Sequence, residues 1–226
     1  MAKTKIKSAY VCSDCGAEFA KWQGQCNACN EWNTLSRVNI SPIKESRVGF
    51  AGAAAQIQKL NEVKAQEAER LTTTFGELDR VLGGGLVPGS VVLIGGDPGA
   101  GKSTLLLQVC TKMAQSRGVL YVTGEESLQQ RAMRAKRLEL PMDGLDVASE
   151  TRAEVIASHI TQRKPDVVVL DSVQVLQMDA LDATPGSVTQ VRETAAFFTR
   201  LAKQTDTVII LVGHITKEGG LAGPKV

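Results

Sequence analysis

Eight consecutive residues, Gly96-Asp97-Pro98-Gly99-Ala100-Gly101-Lys102-Ser103, fit the pattern G-x-x-x-x-G-K-[ST] without a mismatch. Residues of these types at this spacing can hold phosphate. Glycines let the main chain wrap closely around phosphate oxygens, and successive N–H groups point inward as an anion nest. The start of a following helix adds the positive end of its dipole. Lys102 supplies a point charge for the β- and γ-phosphates, and the Ser103 hydroxyl is placed to bind Mg²⁺. With Thr104, these residues are the expected ATP-binding set. The competing reading is a chance glycine turn ahead of a helix.

Three further sites belong with that loop. Val167-Val168-Val169-Leu170-Asp171 is an apolar run ending in an acid, and an Asp at such a strand end would hold Mg²⁺ beside Ser103. Glu125 and Glu126 follow the apolar stretch Leu120-Tyr121-Val122-Thr123. Either acid is a candidate to orient or deprotonate water, and so with Lys102 a candidate catalytic residue. The plainer reading is an acidic first turn of a helix, where negative charge suits the dipole. His214 ends the run Val208 to Gly213; it is either a γ-phosphate sensor or an ordinary structural histidine.

Four of the five cysteines cluster as Cys12-x-x-Cys15 and Cys26-x-x-Cys29. Two such knuckles each offer two thiolates, and together they close a tetrahedron around Zn²⁺. Disulfides or a redox pair are the alternative. Tyr10, Phe19, Trp22 and Trp32 surround the cluster and are expected to form a mini-core, since a module this small needs a staple to fold. Cys110 lies in the apolar stretch after the phosphate loop and reads as a core residue.

The elements that must position these groups alternate. Strand-like runs occur at 91–95, 119–123, 167–171 and 207–212, and helical runs at about 103–115, 127–138, 152–163 and 188–203. Ser127-x-x-Gln130, Thr151-x-x-Glu154 and Ser187-x-x-Gln190 read as capping boxes. Continuous apolar strands imply a parallel sheet covered on both faces, hence a three-layer α/β fold with its ligand at the carboxyl ends of the strands. The chain divides into a Cys₄ zinc module at 1–34, a linker at 35–70 and an ATPase core at 71–226. Length, 43% hydrophobic residues and 22% charged residues describe an ordinary globular chain. A net charge of +2 neither demands nor excludes nucleic acid. No apolar run approaches the ~18 residues of a membrane span and no secretory signal is evident, so a cytoplasmic location is expected. The helix segment carrying Arg131, Arg134, Lys136 and Arg137 reads as a solvated basic face. Residues 216–226 combine three glycines with Lys217 and Lys225, a mobile segment attractive to phosphate, or a frayed end.

Taken together, the Cys₄ module, Glu77-Leu78-Asp79-Arg80-Val81-Leu82-Gly83-Gly84-Gly85, Gly95 to Thr104, Thr123-Gly124-Glu125-Glu126-Ser127, Pro185-Gly186-Ser187-Val188 and Gly213-His214-Ile215-Thr216-Lys217 resemble the bacterial RadA (Sms) family of DNA-repair ATPases related to RecA. The resemblance covers essentially the whole chain. It implies a RecA-like P-loop core behind a zinc ribbon, with ATP, Mg²⁺ and Zn²⁺ as cofactors. It implies a DNA-dependent ATPase that binds single-stranded and branched DNA and promotes strand exchange and branch migration. Ring-shaped homo-oligomers are implied for the family, with a RecA-type recombinase as a further partner. Glu125 matches the family's water-activating glutamate. His214, Thr216 and Lys217 match the segment that links nucleotide state to DNA, and Arg192, Lys225 and the loop 177–187 fall in regions that face DNA. Thr74 stands where many relatives have Gly. The family continues beyond the position of Val226, with more core, a Lys-Asn-Arg-Phe-Gly motif and a Lon-protease-like domain, so an incomplete core is expected. Two rival functions stay open: a KaiC-like ATPase acting on protein partners, and a non-catalytic nucleotide-binding module.

Overall fold

Apolar residues on the central strands alternate strictly between two faces, and that alternation builds the core. In a computed structural model, residues 7–40, 59, 61 and 69–214 are described. Val119 and Tyr121 of β5 (Val119–Thr123), Val167 and Val169 of β7 (Val167–Asp171), and Val208, Ile210 and Val212 of β8 (Val208–His214) pack on one face. Leu120, Val122, Val168, Leu170, Ile209 and Leu211 pack on the other. A period of two with both faces covered explains why these strands read as unbroken apolar runs.

The sheet has five strands in the order β4-β8-β7-β5-β6, with β4 spanning Val91–Gly96 and β6 spanning Leu145–Ser149. All four pairings are parallel. One face is covered by α2 (Lys102–Met113), through Leu106, Val109, Cys110 and Met113, with α1 (Gly76–Val81) beside it. The other is covered by α4 (Ala153–Arg163) and α5 (Val188–Thr205), through Ile156, Ile160, Phe198 and Leu201. The three-layer, mainly parallel α/β architecture expected from the sequence is therefore present. Cys110 is fully buried, as expected of a core thiol, and burial pushes its pKa up.

Register fixes the functional end of the sheet. Gly96 pairs with His214 across β4 and β8, and Thr123 pairs with Asp171 across β5 and β7. Residues far apart in sequence thus end their strands side by side. The helix α3 (Leu128–Arg137) leaves from the same end, opened by a complete capping box between Ser127 and Gln130.

A separate three-stranded antiparallel sheet, ordered β2-β1-β3, lies at the N-terminus. Here β1 is Lys7–Cys12, β2 is Glu18–Phe19 and β3 is Leu35–Ile40. β3 pairs with the full length of β1, so the residues read as the start of a linker belong to the small sheet. The mini-core is smaller than expected. Tyr10 and Phe19 pack against Cys12, Cys26 and Leu35, but Trp22 is 57% and Trp32 67% exposed. The two indoles flank Gly24 instead, while buried Cys12 and Cys26 occupy the centre. Of the linker expected at 35–70, residues 41–58, 60 and 62–68 lie outside the described residues, as do Thr216, Lys217 and Lys225.

Candidate nucleotide site

The phosphate loop joins the end of β4 to the start of α2. Gly99 and Gly101 hold φ of 80° and 87°, in the left-handed region that suits glycine. Gly101 is the N-cap of α2, so the amides of the first turn that follows have no intrahelical acceptor. Lys102 is 9% exposed, and its Nζ donates to the carbonyls of Gly96 and Asp97, both at 2.7 Å. The ammonium is thereby held over its own loop.

A cavity of about 420 Å³ opens there. Pro98, Gly99, Gly101, Lys102, Ser103 and Thr104 form one side, and Glu125, Glu126, Arg134, Arg137 and His214 the other. Six of the expected phosphate-binding residues, both candidate acids and the histidine therefore meet in one place, while Gly96, Asp97 and Ala100 do not line the cavity. Gly124 makes that approach feasible: a Cβ there would collide with Val175 Cγ2, so either that side chain or the Gly124 backbone would have to shift.

Glu125 is bonded on two sides. Its Oε1 accepts a short hydrogen bond from the buried Ser172 hydroxyl and lies 3.3 Å from His214 Nε2. Gln174 donates to the His214 carbonyl. A carboxylate braced this way, facing a phosphate loop, can orient a water molecule. Ser172 was not singled out from sequence, although its place directly after Asp171 at a strand end was the available signal.

Asp171 stands differently from the expected open metal ligand. It is 2% exposed and does not line the cavity. Its Oδ2 accepts from Tyr121 Oη and from Arg131 Nη2, each at 2.6 Å, while Oδ1 accepts nothing among the described residues. Arg131 is 3% exposed, so the segment read as a solvated basic face is solvated in part only. Desolvation acts against the guanidinium, yet Tyr121 and Asp171 outweigh it and raise the Arg131 pKa. Burial, reinforced by the Asp171 charge, raises that of the Tyr121 phenol. Arg134 pairs with Glu126 at 2.6 Å. The signal for these arginines was helical spacing: Arg134 and Arg137 lie three and six residues after Arg131, on the helix that begins just past the Glu pair. Arg192 is elsewhere, on α5, paired with Glu193.

In the N-terminal module the ligand atoms of Cys12, Cys15, Cys26 and Cys29 lie within 4.8 Å of one another. Cys12 and Cys29 are 3.6 Å apart, Cys15 and Cys26 3.5 Å, and no disulfide joins them. Four sulfurs at ~2.3 Å from a tetrahedral Zn²⁺ stand about 3.8 Å apart, so the quartet fits that ion. Desolvation works against a thiolate at Cys12, but contacts from Thr34 and the Cys15 and Asp14 backbone pull it down to about 6; desolvation and neighbouring thiols push Cys15 up to about 12. For ATP with Mg²⁺ the fit rests on the loop's left-handed glycines, its poised ammonium and Asp171 Oδ1, which has no partner among the described residues.

Residues 57–220 match the family model of the AAA domain, and the chain belongs to that family of ATPases. Residues 10–37 match the rubredoxin metal binding domain. At finer grain the chain is similar along its whole length to proteins named DNA repair protein RadA: 57% identical in Haemophilus influenzae and 54% in Escherichia coli. The Pseudomonas aeruginosa protein of the same name is 55% identical over 98% of the chain. The chain spans about half the length of these relatives. The resemblance to RadA and the RecA-like core with its zinc ribbon are thus borne out, and the AAA domain implies ATP with Mg²⁺. Among the described residues no helix is long and apolar enough to cross a membrane.

Proposed function

We propose that this chain binds ATP with Mg²⁺ and hydrolyses it, and that the hydrolysis drives action on DNA in recombinational repair. The observation that carries the reading is the convergence of the phosphate loop, Glu125 and His214 on one cavity. The bound metal would supply charge neutralisation at the terminal phosphates. The chain's residues do the rest. Main-chain amides at 96–104 grip the phosphates. Lys102 exchanges its two carbonyl acceptors for phosphate oxygens. Ser103 and Asp171 are the proposed metal-side oxygens. Glu125, braced by Ser172 and His214, positions the attacking water, and Glu126 with Arg134 shapes the wall behind it. Positioning and charge stabilisation then supply most of the rate.

Coupling to DNA rests on the relatives' name, DNA repair protein RadA, and on the strand-end position of His214, which leads into 215–226. In this reading single-stranded and branched DNA are the substrates, and strand exchange with branch migration is the outcome. Thr216 and Lys217 carry nucleotide state to the DNA-facing segment. Arg192 and Lys225 add cationic contacts, and a ring of subunits with a RecA-type partner is the working assembly. The zinc ribbon docks or recognises, since all four ligand positions come from protein.

The test is ATP turnover with and without single-stranded DNA, in wild type, Lys102→Ala and Glu125→Gln. Turnover stimulated by DNA, and reduced at least ~100-fold by either substitution, is expected. Undiminished turnover in Lys102→Ala refutes the site. Turnover indifferent to DNA favours a KaiC-like role on proteins, and binding without turnover favours a non-catalytic module.

A further inference from the structure

A guanidinium at 3% exposure is costly unless its surroundings hold it. Arg131 reaches from α3 back to the carboxyl ends of β5 and β7. Nη2 donates to Asp171 Oδ2 at 2.6 Å, Nη1 donates to the Tyr121 hydroxyl at 3.0 Å, and the guanidinium carbon sits 4.7 Å from the Tyr121 ring centroid. On its outer side Nε stands 3.2 Å from Glu126 Oε2, yet neither atom is hydrogen-bonded. Arg134 holds the other Glu126 oxygen at 2.6 Å. One buried cation is thus divided between the carboxylate on the strand end and the carboxylate in the cavity wall.

That division has a consequence for the metal. Asp171 Oδ2 already faces a full positive charge, so a divalent cation drawn to Asp171 meets an internal competitor. The imperfect Nε–Glu126 geometry offers the guanidinium a second carboxylate to lean on when the first is taken. A purely structural arginine would stabilise the fold without touching metal dependence.

We propose that Arg131 is a positioning residue and a built-in counter-cation: it holds Asp171 and Glu126 in place, competes with Mg²⁺ for Asp171, and so sets the Mg²⁺ concentration at which nucleotide is bound. This rests on Asp171 being the metal-side carboxylate of the proposed ATP site. The experiment titrates Mg²⁺ into the full chain with a fluorescent ATP analogue and reads the half-saturating Mg²⁺ concentration. Arg131→Gln lowers that concentration about threefold or more, whereas Arg131→Lys, which keeps the charge but not the planar fork, lowers it less. An unchanged or raised midpoint in Arg131→Gln, with wild-type circular dichroism, overturns the proposal. Asp171→Asn separates the two levels. If it leaves the wild-type midpoint in place, the metal reading of Asp171 falls and takes this proposal with it. If it shifts the midpoint while Arg131→Gln does not, only the role of Arg131 falls. Should Arg131→Gln fail to fold, the Arg131 side-chain nitrogen resonances of the wild type decide. They move when Mg²⁺ joins bound nucleotide if the proposal holds, and stay fixed if it does not.

Discussion

At the scale of single residues, backbone conformation separates what this chain needs from what it tolerates. Thr74 holds φ of 66°, a left-handed conformation that costs a β-branched residue about 1–2 kcal/mol. Its backbone N–H reaches Thr72 Oγ1, a bond that glycine would keep. Glycine gives back roughly 0.5–1 kcal/mol in unfolded-state freedom. Thr74→Gly is therefore expected to stabilise the fold by about 1 kcal/mol, seen as a higher urea midpoint at unchanged slope; a lower midpoint contradicts the strain argument. The family resemblance leads one to expect Gly at this position, but the sequence could not show φ. It did disclose the phosphate loop, the Glu pair and His214, because each is written as a local motif beside a strand. Ser172 and Arg131 were hidden for the opposite reason: their partners lie 47 and 40 residues away, and only the register of β5 on β7 brings them together.

At the scale of elements, helix starts are set by whichever group reaches the free amides. Ser127 and Gln130 form the full reciprocal box, whereas at α5 Ser187 accepts from the Gln190 amide while the Gln190 side chain serves the 177–187 loop instead. The box expected from Thr151 and Glu154 is absent; α4 begins after Arg152 with no side-chain cap of its own. Glu150, two residues before Arg152, holds the amides that lead into the helix instead. Its Oε1 accepts from the amides of Thr151 and Arg152 at 2.9 and 3.0 Å, and the Arg152 guanidinium pairs with it. These contacts, the Arg152 guanidinium first, hold the Glu150 carboxyl down at about 2. Because the folded value is depressed, the stabilisation is fully present above the ordinary glutamate range and is lost as pH falls toward 2. Glu150→Gln is expected to cost about 1 kcal/mol at pH 7 after solvent screening, with the gap narrowing below the ordinary glutamate range and closing only as pH approaches 2. A gap that widens in acid contradicts it. Within the ATPase core, α1 and β6 escaped the sequence altogether, and both lack the signal that pattern reading needs. Among its six residues α1 buries none, and the edge strand β6 mixes Asp146 and Ser149 among small apolar side chains.

At the scale of the whole molecule, two cores of different kinds coexist. The large one is a close-packed three-layer sheet; the small one is a sulfur cluster with two aromatics and a leucine beside it. A core that small requires its metal. Both tryptophans of the chain, Trp22 and Trp32, lie in the ribbon, so intrinsic tryptophan emission reports the ribbon alone. Removing zinc with a chelator is expected to lower tryptophan anisotropy while nucleotide affinity stays within about twofold, because the ligands of the two sites share no residue. Loss of both together contradicts that independence. The fold class was legible because the central strands are apolar on both faces and the helices between them are long. The extent of the small sheet was not, since β3 is defined by its pairing with β1 rather than by an apolar run.

The central claim is that the loop from Gly96 to Ser103 grips a nucleotide triphosphate. Its most direct test is equilibrium binding of a fluorescent ATP analogue to the purified chain with Mg²⁺, compared with Lys102→Ala and with an excess of unlabelled ATP. Saturable binding that ATP displaces, weakened at least ~30-fold by the substitution, is the predicted result. A probe that stays free in solution with wild-type protein, or binds both proteins equally, contradicts the account.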